Sequence, residues 1–267
     1  MQSFLEKEFD RYQWNARVLP ALVTLFPFGL AVLAWVDKPA DVFKPLLVAV
    51  MGSGLLVTLA NIARDMGNKA EDQLLKDWGS WPTTRLLRHS DSTLSVELKA
   101  RYHAALVKLV PRVAAMPTPA DEQADPKEAD AIYESCVAYV RAITRDQHSF
   151  AILYAENIEY GYRRNMLGLR PLGIGSALIG ACVCILKLVT DWSSGRELSA
   201  VALISGLLCL LQLGIWQFAI SKSYVKVGAD AYAERLLDAI DVLANSSPGA
   251  ASKPKPPSQG DSVDNGS

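Results

Sequence analysis

Four long apolar stretches constrain this chain more than any other feature of its sequence. They cover residues 18–36, 46–62, 172–186 and 198–220. A bilayer core about 30 Å thick requires roughly 20 apolar residues in a helix, and each stretch meets or approaches that length. Hydrophobic residues make up 50% of the 267 positions, and their concentration in four blocks is typical of membrane proteins. We therefore predict four membrane-spanning helices.

A charged block of about a hundred residues separates the second apolar stretch from the third. It shows helical spacing and no strand alternation, so the sequence predicts an all-α membrane protein with a helical cytoplasmic domain inserted between spans two and three. The predicted organisation is an interfacial N-terminal helix at 1–17, a transmembrane hairpin at 18–64, the cytoplasmic helical domain at 65–170, a second transmembrane hairpin at 171–222, a cytoplasmic helix at 223–245 and a disordered tail at 246–267.

Several residues predict where the helices begin and end. Gly79 stops the helix that continues from span two, and Asp125 followed by Pro126 starts a helix in the inserted domain. We expect Gly168 and Pro171 to close the helix that precedes span three. The fourth span is expected to run on as one helix to about residue 244. Prolines also occur inside span one, where each frees a backbone carbonyl that neighbouring helices must accommodate.

The distribution of lysine and arginine predicts the topology. Basic residues flank one end of each span and are sparse in the two short hairpin loops, which places both termini and the inserted block in the cytoplasm. The net charge of −1 argues against nucleic-acid binding through overall charge. The four cysteines show neither zinc spacing nor a disulfide pattern.

The first candidate binding cluster surrounds the helix break after Trp78. Arginine suits phosphate groups and aromatic rings can stack on bases, so this cluster could bind a nucleotide or nucleic acid. Its members, with two residues expected to join from a neighbouring helix, are Trp81, Arg85, Arg88, His89, Arg101 and His103. The alternative is a structural corner, in which the tryptophans pack and the arginines pair with carboxylates.

A second candidate cluster precedes span three and contains Arg145, Arg163 and Arg164. These residues are candidates for ligand binding or for binding anionic lipid headgroups. Positive residues at this position also set topology, and that role alone would explain them.

Polar residues within or near the spans are the candidates for a pore lining. Asn61, Gln212 and Gln217 are the residues concerned. Glutamines in spans also form hydrogen bonds between helices, which is the alternative reading. No motif of a hydrolase, metalloprotease or nucleotide-hydrolysing loop is present, so we expect a protein that is not an enzyme and that has no cofactor or metal.

Two segments, DWGSWPTTRLLRH at 77–89 and TRDQHSFAILYAENIEYGYRRNMLGLRPLG at 144–173, resemble an uncharacterised family of four-span bacterial inner-membrane proteins without an assigned activity. The wider layout is similar to effector channels of anti-phage defence, such as the Hailong type. That similarity implies a membrane channel controlled by a nucleic-acid signal.

The function expected from these features is an oligomeric inner-membrane channel or membrane-disrupting effector. A nucleotide or nucleic-acid signal at the cytoplasmic domain would gate it, and a single four-span subunit is too small to enclose a wide pore, so we expect a homo-oligomer in the lipid. The alternative is a membrane-anchored scaffold that docks a soluble partner protein.

Overall fold

The computed structural model describes residues 10–36 and 54–246. Over those ranges the chain is helical, without strands. We number the helices α1 (Arg11–Trp35), α2 (Leu55–Trp78), α3 (Pro82–Leu87), α4 (Val96–Leu109), α5 (Pro119–Ala124), α6 (Pro126–Ile143), α7 (Ala151–Ser193), α8 (Ala200–Ala219) and α9 (Lys222–Ser246). Short π-helical turns lie within α1, at Trp14–Val18, and at the end of α8, at Ile215–Ala219.

Three of these helices are long and apolar enough to cross a membrane, namely α1, α7 and α8. They contain the predicted first, third and fourth spans. The predicted second span, 46–62, lies partly outside the described residues, and its described part forms the beginning of α2. The expected interfacial helix at 1–17 and the expected tail at 246–267 also lie largely outside them, although residues from Arg11 onward are continuous with α1.

We use the name apolar bundle for α1, α8 and residues 172–193 of α7. Trp216 of α8 is completely buried in it, with its indole ring against Gly173 of α7, where an added Cβ would lie 2.2 Å from the ring. The outward faces of α7 and α8 expose many leucines and isoleucines, as expected of surfaces that contact lipid or another subunit.

Pro20 removes one backbone donor from α1, and a side chain of α7 compensates. In a regular helix the amide of residue 20 would donate to the carbonyl of Ala16, but proline has no amide hydrogen. The carbonyl oxygen of Ala16 instead accepts a hydrogen bond from Nδ2 of Asn165, 2.6 Å away. Asn165 is completely buried, so this bond fixes α7 against α1 at the start of the apolar bundle.

Pro27 creates the same situation about two helical turns further along α1, and α8 supplies the compensation. The carbonyl oxygen of Val23, four residues before Pro27, accepts a hydrogen bond from Nε2 of Gln212 at 2.6 Å. Gln212 is 8% exposed. The side chain predicted as a pore lining is therefore used to bond α8 to α1, the role that the sequence also allowed.

The expectation that Gly168 and Pro171 end a helix was wrong. α7 continues through both residues and is 43 residues long. Gly168 lies where α7 crosses α2, and an added Cβ would stand 2.5 Å from the backbone carbonyl of Met66. Glycine at this position is thus required by the close approach of two backbones, and tertiary packing holds the helix intact around Pro171.

The expectation that span four runs on without a break was also wrong. α8 ends in its π-helical turn at Ala219, and α9 begins at Lys222. The guanidinium of Arg170 donates to the carbonyls of Trp216 and Gln217 at 3.0 and 2.9 Å, which satisfies acceptors at the end of α8. The hydroxyl of Ser221 accepts from the amide of Tyr224 at the start of α9.

The helical domain consists of α3 to α6 packed on the second half of α9. Its core contains Tyr102, Tyr133 and Leu106, together with Leu236 and Ile240 from α9. Two predicted helix ends are confirmed: Asp125 accepts from the amides of Lys127 and Glu128, and Gly79 ends α2 with φ +78°. Ser95 caps α4, where the sequence allowed either Ser92 or Ser95. α9 thus adds buried residues to this core from outside the inserted segment 65–170.

We predict that Gly168→Ala destabilises the protein by about 1–3 kcal/mol, because a Cβ cannot fit against the backbone of α2. Gly175→Ala is the matched control on the same helix, since nothing lies within 4 Å of its added Cβ. Unfolding of the detergent-solubilised protein by increasing dodecyl sulfate would measure both. Equal midpoints for the two variants would contradict the close approach of α2 and α7.

A double-mutant cycle tests the link between Pro27 and Gln212. Gln212→Leu alone should destabilise by about 1–3 kcal/mol, because it leaves the carbonyl of Val23 without a donor. In a Pro27→Ala background the restored amide of residue 27 can serve that carbonyl, so Gln212→Leu should have a much smaller effect. The same unfolding assay measures all four proteins, and identical effects of Gln212→Leu in both backgrounds would disprove the coupling.

Candidate functional site

A cavity of about 590 Å³ lies where the helical domain meets the helices that lead into the apolar bundle. We call it the junction cavity. It draws its walls from six helices, α1, α2, α3, α6, α7 and α9. Its lining includes Tyr12, Glu71, Trp81, Thr84, Glu134, Ala138, Arg141, Tyr160, Arg164 and Tyr232. Its volume falls in the range of pockets that bind small molecules and cofactors.

The local sequence explains how α3 presents its first turn to the cavity. Gly79 ends α2 in a left-handed conformation that favours glycine, and the chain turns back through Trp81 in an extended conformation. Pro82 then occupies the first turn of α3, where its missing amide costs no hydrogen bond. The following residues, Thr83 and Thr84, are buried and line the cavity.

An ion pair between α2 and α7 forms the charged wall of the cavity. Nη1 of Arg164 lies 3.1 Å from both carboxylate oxygens of Glu71, and the hydroxyl of Tyr160 donates to the same carboxylate at 2.5 Å. Both charged side chains are largely buried, at 12% and 14% exposure. A pair of this kind must be well hydrogen-bonded to offset its desolvation, and here Tyr160 supplies the additional bond.

Two buried polar atoms of the cavity residues have no partner among the described residues. They are Oγ1 of Thr84, whose residue is completely buried, and Nε of Arg164. Leaving a buried polar group without a hydrogen bond costs about 1–3 kcal/mol. Both atoms have almost no accessible surface, so they lie behind the cavity wall and are not presented to its open space.

Of the residues predicted for ligand binding, Trp81 and Arg164 line the junction cavity. Most of the other arginines are paired with acids elsewhere. Arg85 pairs with Asp91 and Asp230, Arg88 with Asp130 through two hydrogen bonds, Arg101 with Asp241, and Arg163 with Glu159 and the carbonyl of Tyr224. Arg145 is exposed in the loop after α6. The structure thus does not bring the predicted ligand residues together at one site.

His89 and His103 lie in a polar network between α3, α4 and α6. Nε2 of His103 lies 2.8 Å from the carbonyl of Leu87, and its ring stacks on Tyr133 and meets His89 edge-on. Nε2 of His89 lies 3.0 Å from the carbonyl of Pro117. These contacts are those of a structural corner, the alternative that the sequence left open for this cluster.

Lys99 and Glu122 complete the same network. Nζ of Lys99 donates to the carbonyls of Arg88 and Asp91, at 2.6 and 2.5 Å. Glu122 accepts from the amides of His89 and Ser90 and from the hydroxyl of Tyr133. Burial acts to raise the pKa of Glu122, but these hydrogen bonds together lower it.

The predicted pore residues occupy different environments. Asn61 and Gln217 are exposed, whereas Gln212 is buried and bonded to Val23. Sequence reasoning missed Asp191, which is buried at the far end of α7 and pairs with Lys187 at 2.5 Å. The spacing of four residues between these opposite charges on one helix was a signal that could have found the pair.

Sequence reasoning also missed Glu71, Thr84, Arg141 and Tyr232 as parts of one site. Glu71 and Arg164 are far apart in the chain, and no local pattern joins them. Among the described residues, no group of three or more histidine, cysteine, aspartate or glutamate side chains could hold a metal ion.

Comparison with family models, with curated proteins and with solved structures gives no match for this chain. The function must therefore be argued from the geometry of the protein itself.

We predict that stability falls with acidification below about pH 6.5, the ordinary pKa of histidine, and that His103 is responsible. Burial lowers the pKa of His103, and the nearby His89 lowers it further, although the hydrogen bond to Leu87 opposes both. Because the folded protein resists a proton that the unfolded chain accepts, stability is complete above that pH and is lost as the pH falls toward the lowered pKa.

Hydrogen exchange of α4 at pH 7.5 and pH 5.5 would measure this effect in the solubilised protein. His103→Gln should reduce the difference in protection between the two pH values, because glutamine does not titrate. His148→Gln is the matched control, since His148 is exposed in the loop before α7. An unchanged pH difference in His103→Gln would refute the assignment.

Proposed function

We propose that the protein is an oligomeric membrane effector whose apolar helices are controlled by a small ligand in the junction cavity. Its output is permeabilisation of the bacterial inner membrane, with the helical domain and both termini in the cytoplasm. A role in anti-phage defence, implied by the resemblance to effector channels, belongs to the same proposal.

The position of the junction cavity is the observation that carries the proposal. α1 and α7 both contribute to its wall, through Tyr12 on one and Tyr160 and Arg164 on the other, and both helices continue into the apolar bundle. α7 does so as one uninterrupted helix of 43 residues. A ligand that fits one arrangement of these walls better than another would shift the population of bundle states by the difference in its affinities.

The pairing of the arginines favours the cavity over the predicted cluster at Trp81–His103 as the ligand site. Arg85, Arg88 and Arg101 would have to release carboxylates before they could bind a phosphate group. The cavity offers open space and the guanidinium of Arg141, which forms no hydrogen bond or ion pair with any described residue. Trp81 and Arg164, both predicted from the sequence, belong to its wall.

A pore between several copies fits the bundle better than a pore within one copy. In the described part of the bundle, Trp216 fills the interior and the side-chain amide of Gln212 is bonded to Val23. Apolar side chains such as Phe218 and Leu211 remain exposed on α8, as a surface that packs against lipid or a second copy requires. We propose that subunits associate through such faces.

We predict that Ala138→Trp changes the membrane depolarisation caused by expression of the protein. Ala138 lines the junction cavity, so an indole at this position occupies the space proposed for the ligand. Ala142→Trp is the matched control one turn further on α6, exposed and outside the cavity. A potential-sensitive dye in cells, with membrane-inserted protein quantified in each strain, measures the effect.

The expected result is a severalfold difference between Ala138→Trp and the wild type, with Ala142→Trp equal to the wild type. If none of the three proteins depolarises cells at matched amounts in the membrane, the channel proposal fails. If both tryptophan variants act alike, the cavity does not control the output.

A scaffold that docks a soluble partner is the second candidate, and the sealed interior of the described bundle favours it. An anchor needs no polar path, and the side-chain amide of Gln212 is used in its hydrogen bond to Val23. A stoichiometric protein that co-purifies with the full chain, combined with a normal membrane potential, would support this function over the channel.

A further inference from the structure

Aromatic rings supply much of the apolar wall of the junction cavity. Trp81 lies at the start of α3, Tyr12 lies on α1, and Tyr160 and Tyr232 approach one another from α7 and α9. The rings of Tyr160 and Tyr232 are nearly parallel, at an angle of 10° and a centroid separation of 6.1 Å. Surfaces of this kind favour a flat ring in the ligand, because aromatic groups stack or meet edge-on with favourable energy.

Arg141 is an accessible charged donor on the wall of the cavity. Its side chain is exposed, and no described residue forms a hydrogen bond or ion pair with its guanidinium. Arg164 is instead paired with Glu71, whose carboxylate also accepts from the hydroxyl of Tyr160. A complementary ligand therefore offers an anionic acceptor to Arg141.

Two charged residues of α6 give the two ends of the cavity opposite charge. Glu134 and Arg141 both line it, and they lie seven residues apart, which is two helical turns and roughly 10 Å along the axis. Arg141 is close enough to Tyr232 for its charge to act on the phenol. An anionic group is thus favoured beside Arg141 and Tyr232 and disfavoured at the Glu134 end.

We infer that the junction cavity binds an aromatic ligand that carries an anionic group. The ring lies among Trp81, Tyr12 and Tyr232, and the phosphate or carboxylate lies at Arg141. The claim that this ligand controls the apolar bundle rests on the proposed function. The claim that the ligand binds rests only on the residues of the cavity.

A nucleoside monophosphate and an aromatic carboxylate share this chemistry, and a binding measurement distinguishes them. Isothermal titration of the full chain in detergent would use adenosine 5′-monophosphate and indole-3-acetate as probes, with adenosine and inorganic phosphate as controls that lack the anion or the ring. At least one aromatic anion should bind. Each control should bind more weakly by about tenfold or more, because adenosine lacks the anionic group and inorganic phosphate lacks the aromatic ring.

Arg141→Gln should weaken binding of that probe by about tenfold, since it removes the unpaired guanidinium. Arg145→Gln is the matched control, an exposed arginine four residues further along the chain that does not line the cavity. Loss of binding in Arg145→Gln but not in Arg141→Gln would overturn the assignment, and so would the absence of binding by both aromatic anions at millimolar concentration.

The titration tests the ligand class and the depolarisation assay tests the channel, so either proposal can be contradicted without the other. Titration that detects an aromatic anion, with no depolarisation by any variant, supports the ligand class and contradicts the channel. Depolarisation that depends on Ala138, with no binding of either probe, supports the channel and contradicts this ligand class.

Discussion

The apolar bundle depends on the hydrogen bonds of two backbone carbonyls that prolines deprive of their helical donors. Carbonyls in apolar surroundings have no water to bind, so each needs a donor from the protein. Asn165 supplies one for Ala16 and Gln212 supplies the other for Val23. Since these donors come from different helices, α7 and α8 are both fixed against α1, and the position of α7 in turn decides where the junction cavity lies.

Close backbone contact then sets the geometry that these bonds require. Gly67 of α2 leaves space for the side chain of Asn165, because an added Cβ would stand 1.8 Å from its Oδ1. Gly168, one turn further on α7, meets the backbone of α2. α2, α7 and α1 are consequently held at one level of the molecule, directly beside the ion pair of Glu71 and Arg164. A change in the cavity therefore acts on helices that have little freedom to move independently.

Local signals in the sequence predicted much of the helical layout, but contacts distant in sequence decided the site. Asp125, Ser95 and Gly79 act at helix ends through neighbouring backbone groups, so their positions could be read directly. Gly168 carries the same local signal and has a different role, because α2 crosses there. The arginines near Trp81 suggested a phosphate site, whereas their partners, such as Asp230 and Asp241 on α9, lie well over a hundred residues away. No pattern within a single segment could reveal those pairs.

The unpaired guanidinium of Arg141 sets the scale of the control that we propose. A ligand anion that meets this group in one state of the bundle and not in another favours that state by the difference in its binding free energies. Coupling of about 1–3 kcal/mol corresponds to a change of roughly 5- to 150-fold in the ratio of two states. A nearly complete switch between two states needs a ratio change of about 10⁴-fold. One ion pair therefore biases the population, and a full switch requires further contacts that differ between the states, for which the aromatic wall of the cavity offers the surface.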